Sequence, residues 1–411
     1  MGQQVLVLGA GMVGTCTALE LQLRGHDVVL LDRRGPGQET SYGNAGAIQR
    51  EAVEPYPMPR DWRTLLSVAL RQGLDVDYQL SGLLAAWPQL LRYWRESASL
   101  RHQRTAREYA TLIAHSTAAH DRLIELAGAR DLVRESGLRF LFRTAAALEA
   151  ASRQAERLRA EHGLGVALLD GPALAAAEPA LRPRLAGAVH WLDTWCVSDP
   201  GALVERYAAL FRQKGGRLLK GDALSLRAAG PGWQVDTEEG RVSAAQAVLA
   251  LGPWSGEALR RLGYRWPLFV KRGYHRHYAG GATLNVAALD AERGYVLAPQ
   301  CRGLRLTSGA QIARIDAPPA PRQLHGAERE ARQLLDLGQA VEAQPWMGSR
   351  PCSADMKPVI GALPQHPGLW VNCGHGHQGF TLGPVSGRLL AELMEGRPSC
   401  VPTTPFSPLR F

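Results

Sequence analysis

Cysteine is scarce and poorly spaced for cross-linking: the six residues Cys16, Cys196, Cys301, Cys352, Cys373 and Cys400 include no CxxC pair and no metal-ligand spacing. Neither a disulfide framework nor a bound metal is expected, and reduced thiols point to a cytoplasmic setting. Lysine is scarcer still. Only Lys214, Lys220, Lys271 and Lys357 occur, so 43 of the 47 basic side chains are arginines, scattered along the chain, and they underlie the net charge of +9. A polyanion footprint needs clustered charge, so nucleic acid is not an expected partner. No apolar run reaches the ~20 residues of a membrane span. The greasiest stretch, Leu80 to Trp94, is broken by Pro88, Gln89 and Arg92. The N-terminus enters the apolar run Val5 to Leu8 at once, without the basic, apolar and small-residue succession of a signal peptide, so export is not expected. Internal repeats and low-complexity tracts are missing too.

What is present is a chain of 411 residues with 45% apolar and 21% charged side chains, ordinary values for a globular protein. Its length favours two domains with room for a ligand between them. Residues 4 to 34 read as strand, glycine turn, helix, strand, with both strands continuously apolar as in a covered parallel sheet. The turn is Gly9-Ala10-Gly11-Met12-Val13-Gly14, a GxGxxG pattern. Its first glycine makes the turn, its second lets the backbone approach a pyrophosphate, and its third lets helix and strand pack closely. The helix N-terminus offers free N–H groups to the phosphates. Asp32 closes the second strand, where a ribose-binding carboxylate belongs. Together these predict dinucleotide binding.

Residues 60 to 127 read as helical, and Leu80, Leu83, Leu84, Trp87, Leu90, Leu91 and Trp94 share one helical face, expected to pack on its own domain. Peripheral membrane contact through that stripe is the alternative. Asp199-Pro200 predicts a helix start running through Arg212. Strands are expected at Arg217 to Leu219, Leu224 to Arg227, Gln234 to Thr237 and Ala247 to Leu251, and an antiparallel series between Pro267 and Gly309. Helices are expected over Ala327 to Ala340 and Pro384 to Glu395, with a strand at Leu369 to Asn372.

Beyond the glycine turn, the chain resembles the FAD-dependent D-amino-acid oxidase superfamily, with its sarcosine and glycine oxidase relatives, and in particular bacterial D-amino-acid dehydrogenases. The resemblance is sharp in residues 5 to 47, 245 to 256 and 346 to 396. The segment ETSYGNAGA, residues 39 to 47, is similar to the family's flavin-wrapping loop, which implicates Thr40, Ser41, Asn44, Ala45 and Gly46 beside Gly9, Gly11, Met12, Val13, Gly14, Asp32 and Arg33. The segment AQAVLALGPWS is similar to the returning strand, placing Ala250 and Gly252 under the pyrophosphate, and Ala223 falls where the family backbone meets adenine. The turn NCGHGHQGFT is similar to the closing NxGHGxxGxT pattern, in which Gly374, His375, Gly376, Gly379 and Thr381 crowd the flavin, His375 more directly than His377.

The segment WMGSRPCSADMKPVIG is similar to the family's GxRPxxxDxxPxIG signature, so the resemblance implies that Arg350 holds a substrate carboxylate while Asp355 is structural. An arginine suits that task because its planar fork matches a carboxylate and keeps its charge when buried. A strand tyrosine commonly shares this role in the family. Tyr274 and Tyr295 are the candidates, with His275 and Lys271 beside them. Gly348 occupies the position where relatives attach flavin through cysteine, which implies non-covalent FAD.

The expected fold is α/β, with a Rossmann-type FAD-binding domain (1–52, 190–265 and 345–411) interleaved with a substrate domain on a mainly antiparallel sheet (53–189 and 266–344). The expected activity is hydride transfer from a small D-amino acid to flavin, giving a 2-oxo acid and ammonia, with electrons passed to a quinone or other carrier. No paired carboxylates or activated nucleophile stand near the motifs, and hydride transfer needs neither. The alternatives are a secondary amine such as D-hydroxyproline or sarcosine as substrate, or a non-catalytic flavin subunit of a hetero-complex. A cytoplasmic protein touching the inner face of the membrane fits these expectations.

Overall fold

The computed structural model describes residues 2–182 and 185–411. Strand Gln4–Leu8 is buried on both faces, and the chain wraps around it. It pairs in parallel with Asp27–Asp32 on one side and Gln246–Leu249 on the other. Arg217–Ala229 and Leu369–Cys373 extend the parallel block, and antiparallel strands close both edges to give an eight-stranded sheet. Helices Met12–Leu23 and Gly379–Met394 cover one face and pack tightly on each other. A Cβ on Gly383 or Gly387 would run into Met12 and the backbone of Cys16.

The last helix starts at Gly379, five residues before the expected Pro384. Proline inside a helix leaves the carbonyl four residues back without its N–H. That carbonyl, Phe380 O, is met by His120 Nε2 at 2.9 Å, while the Tyr207 hydroxyl lies 3.1 Å from His120 Nδ1. A buried histidine from another helix thus makes the interior proline tolerable.

The second sheet is eleven-stranded and mainly antiparallel, organised on the long strand Leu268–Ala279. Trp346–Ser353 joins this sheet, in register Lys271↔Arg350 and Gly273↔Gly348. Residues 346–353 were expected with the nucleotide-binding pieces; their hydrogen bonds are instead to the second sheet. Helix Arg322–Leu334, starting earlier than expected, covers the far face over Tyr274, Tyr278 and Tyr295. Arg217–Ala229 is one strand with an irregularity between Asp222 and Arg227, where two strands were expected.

The region 60–127 forms helices Trp62–Ala69, Leu80–Glu96, Ser99–Ile113 and Ser116–Leu126, with a short strand Val76–Tyr78 between the first two. The apolar stripe on Leu80–Glu96 is packed as expected only in part: Leu90, with Leu83 beside it, joins Phe269 and Ile312 in a buried cluster, while other members lie open. Leu80, Leu84 and Trp87 are 60–68% exposed, and Trp62 and Leu66 of the preceding helix and Leu70 just after it lie open as well. Among the described residues no helix is long and apolar enough to cross a membrane.

Candidate active site

A cavity of about 810 Å³ runs from the glycine turn, along the flank of the first sheet, to the inner face of the second. At its nucleotide end Gly9 has φ +105°, and a Cβ there would lie 2.5 Å from Ala250 O, so only glycine fits. Asp32 is fixed from two sides: Ala10 N donates to Oδ2 (2.7 Å) and Arg34 N to Oδ1 (2.8 Å). A carboxylate accepts more than one bond per oxygen, so capacity remains for sugar hydroxyls. Ser41 Oγ accepts from Met12 N at 2.9 Å and pins the 39–47 loop to the helix start. Thr40 Oγ1 donates to Ser349 O at 2.7 Å and ties the same loop to the strand bearing Arg350.

Beneath the loop lies Arg305, which the sequence reading missed; its guanidinium donates to Tyr42 O and Asn44 O, and burial lowers its pKa to about 10. The Arg33 guanidinium lies 4.0 Å over the Trp254 ring.

The walls of this cavity include Gly9, Gly11, Met12, Val13, Asp32, Arg33, Thr40, Ser41, Asn44, Ala45, Ala223, Ala250, Gly252, His375, Gly376 and Gly379. Four expected cofactor residues are placed elsewhere, each for a structural reason. Gly14 faces the Gly9 carbonyl, where a Cβ would separate helix from strand. Gly46 lies against Val197 O with φ +81°. Thr381 links Ala47 O and Gln49 N to the last helix. Gly374 borders an adjoining cavity of about 300 Å³.

At the other end, Arg350 rises from its strand over Gly273, whose added Cβ would sit 2.5 Å from a guanidinium nitrogen. Its Nη1 donates to Arg272 O (3.3 Å) and Gly309 O (3.1 Å). Among the described residues no carboxylate pairs with it. Asp355, as expected, is structural, but its partner is Arg410 at 2.7 Å. Burial pulls the Arg350 pKa down, yet an arginine stays charged. Lys271, Tyr56, Tyr93 and His377 complete this end. Desolvation, with Arg350 and Lys271 nearby, lowers the His377 pKa and holds its ring neutral. His375, also neutral with its pKa pushed by burial to about 3, sets Nε2 3.1 Å from Ser386 Oγ.

Three expected substrate-binding residues do not meet Arg350. The Tyr274 hydroxyl donates to Gln311 (2.7 Å) and accepts from Ala320 N (2.9 Å), on the far face of the sheet. Tyr295 lies in the same far-face core, its hydroxyl 3.4 Å from Arg143. His275 is stacked on Trp346 with ring centroids 4.8 Å apart, and burial beside Arg305 lowers its pKa to about 2. Successive strand residues point to opposite faces, so a tyrosine next to Gly273 necessarily points away from Gly273's side.

The residues present fit FAD. Close backbone at Gly9, an oriented Asp32, a helix N-terminus and a cavity reaching Ala223 accommodate the dinucleotide, and Gly376, beside which an added Cβ would meet nothing, leaves room at the far end. Among the described residues no group of three or more His, Cys, Asp or Glu could hold a metal ion.

Comparisons with known proteins agree with this geometry. A D-amino-acid oxidase of Bradyrhizobium diazoefficiens is 30% identical, covering 100% of this chain and 99% of that protein. A D-amino acid dehydrogenase of Paramagnetospirillum magneticum is 32% identical over 97% and 96% of the two chains. Among solved structures, glycine oxidase from Geobacillus kaustophilus superposes with TM-score 0.74 at 23% identity, covering 98% of each chain. The family model described as DAO, FAD dependent oxidoreductase, matches residues 4–393. The chain belongs to that family of FAD-dependent oxidoreductases.

Proposed function

We propose that this enzyme oxidises the Cα–N bond of a free D-amino acid, yielding a 2-oxo acid and ammonia, and passes the electrons to a quinone or similar carrier. One observation carries it: Arg350 is an enclosed cation that faces the cavity and has no carboxylate partner among the described residues. An unpaired enclosed charge is costly unless a ligand neutralises it. The α-carboxylate of an amino acid does so, with the forked geometry a guanidinium prefers.

Bound FAD supplies the hydride acceptor. The chain's own residues bind and orient. Arg350 fixes the carboxylate, the neutral His375 and His377 rings add no charge that would repel an amine, and the apolar walls exclude water. The imine product hydrolyses in solvent. Gly348 lines the cavity, whereas Cys352 borders the adjoining one, which supports non-covalent attachment of the flavin.

The choice of D-amino acid rather than L-amino acid or secondary amine rests on the named relatives at 30–32% identity over nearly the full chain. The quinone and a peripheral position on the cytoplasmic membrane face are supported by the open apolar helices, whose inner sides (Leu65, Val68, Leu83) line the cavity.

The test is anaerobic bleaching of the flavin by a panel of D- and L-amino acids, sarcosine and D-hydroxyproline, followed by turnover with a dye or quinone analogue. Bleaching by D-amino acids above their enantiomers is expected. Bleaching only by secondary amines or L-amino acids would overturn the proposal.

A further inference from the structure

Lys271 and Arg350 are direct partners across the antiparallel pair Leu268–Ala279 and Trp346–Ser353. Cross-strand partners share one face of the sheet, and like charges placed there repel. Both side chains reach the large cavity, and among the described residues neither meets a carboxylate. Two adjacent cations without an anion are an unbalanced arrangement in a protein interior.

Their charged heads diverge along the strand. The Arg350 guanidinium lies over Gly273, two residues ahead of Lys271. The Lys271 ammonium turns the other way, 4.3 Å from the Tyr93 ring centroid and 5.5 Å from that of Phe269. Two residues of strand already span ~7 Å; a single carboxylate reaching both cations would give each one oxygen and leave the two-pronged geometry of Arg350 unused, whereas two carboxylates satisfy both heads.

Lys271 also has donors to spare. The Tyr93 hydroxyl spends its proton on Tyr56 O (2.6 Å), so it accepts from Lys271 at 3.2 Å. An ammonium carries three N–H groups, which leaves two.

We infer that Lys271 receives a second carboxylate, and that the preferred substrate is an acidic amino acid of the D-glutamate or D-aspartate class. Arg350 would hold the α-carboxylate and Lys271 the side-chain one. This rests on the proposed D-amino-acid oxidation.

The experiment uses the FAD-loaded enzyme and two readouts. The first is turnover of D-glutamate against D-glutamine, isosteres that differ in charge. The second is perturbation of the flavin absorbance by glutarate against butyrate, which requires no turnover.

Wild type should favour D-glutamate and glutarate by about 30-fold, the scale of one charge-assisted contact, mostly in KM and in Kd. In Lys271→Met both ratios should fall toward one, and Lys271→Arg should restore part of the preference. Wild-type ratios near or below one overturn the inference without any variant being needed. So does a Lys271→Met enzyme that binds FAD yet keeps the wild-type ratios, or one that loses both substrates equally. If no D-amino acid bleaches the flavin while glutarate still binds with a Lys271-dependent preference over butyrate, the deamination proposal fails and the second-carboxylate site stands.

Discussion

Arg350 is held rather than merely present. Its guanidinium uses one nitrogen on two backbone carbonyls and rests against the bare Cα of Gly273, which leaves the rest of the fork for a ligand. Truncating one partner of an enclosed charge-assisted pair typically costs about 2–5 kcal/mol. Arg350→Ala should therefore lower kcat/KM for amino acids roughly 30-fold to several thousand-fold, with FAD content retained; Arg350→Lys should recover only part, because an ammonium lacks the planar fork. Near-normal kcat/KM in an FAD-loaded Arg350→Ala enzyme would place the carboxylate elsewhere. Gly273 gives an independent check. A methyl at Gly273 would stand 2.5 Å from the guanidinium and displace it, so Gly273→Ala should raise KM toward the Arg350→Ala level while the flavin stays bound. A wild-type KM in that variant would show that the guanidinium position is not critical. The place of Arg350 in the cavity wall was legible because a motif fixes its identity. Tyr274 and Tyr295 were misassigned because the face a strand residue occupies depends on pairing register, which local sequence does not reveal.

The helices Trp62–Ala69 and Leu80–Glu96 show the same limit for helical periodicity. The 3.6-residue repeat located the apolar stripe correctly, yet Leu80, Leu84 and Trp87 point outward while Leu83 and Leu90 face the cavity. Periodicity marks an apolar face and is silent on what covers it. By contrast the glycine turn, Asp32 and the 39–47 loop were legible because backbone proximity restricts the residue types there. The start of the last helix was not, because the partner that satisfies Phe380 O is His120, 260 residues away in sequence. Open tryptophans and leucines beside Arg60, Arg63 and Arg95 suit the lipid–water interface, where aromatics settle and cations meet anionic headgroups. The protein should therefore co-sediment with anionic phospholipid vesicles more than with zwitterionic ones. Trp62→Ser/Trp87→Ser should weaken this severalfold. Equal sedimentation of the double variant would assign the contact to another surface.

At the scale of the whole molecule, three buried histidines, each held against a different element of the fold, couple its stability to pH. His120 bridges helices Ser116–Leu126, Pro200–Gln213 and Gly379–Met394. His375 fastens the closing turn to the last helix, and His275 stacks on Trp346, its partner on the neighbouring strand of the second sheet. Burial lowers their pKa values from an ordinary 6.5 to about 4, 3 and 2 respectively. Because the folded-state values are depressed, the folded protein resists protonation that the unfolded chain accepts. The stability these rings contribute is complete above pH 6.5 and is lost as pH falls from 6.5 toward the folded values. At pH 5 the unfolded chain is 1.5 pH units below its histidine pKa, so each ring costs up to ~2 kcal/mol at 1.36 kcal/mol per unit. Thermal unfolding of the FAD-loaded enzyme at pH 7.5, 6 and 5 should therefore show Tm falling already between 6.5 and 5, above the range where carboxylates titrate. His120→Gln retains an amide N–H for Phe380 O but cannot titrate. It should melt lower than wild type at pH 7.5 because the packing changes, and its Tm should fall less between pH 7.5 and 5. A wild-type Tm that stays level from pH 7.5 to 5, or a His120→Gln slope equal to wild type, would mean that these rings take up protons in the folded protein without cost.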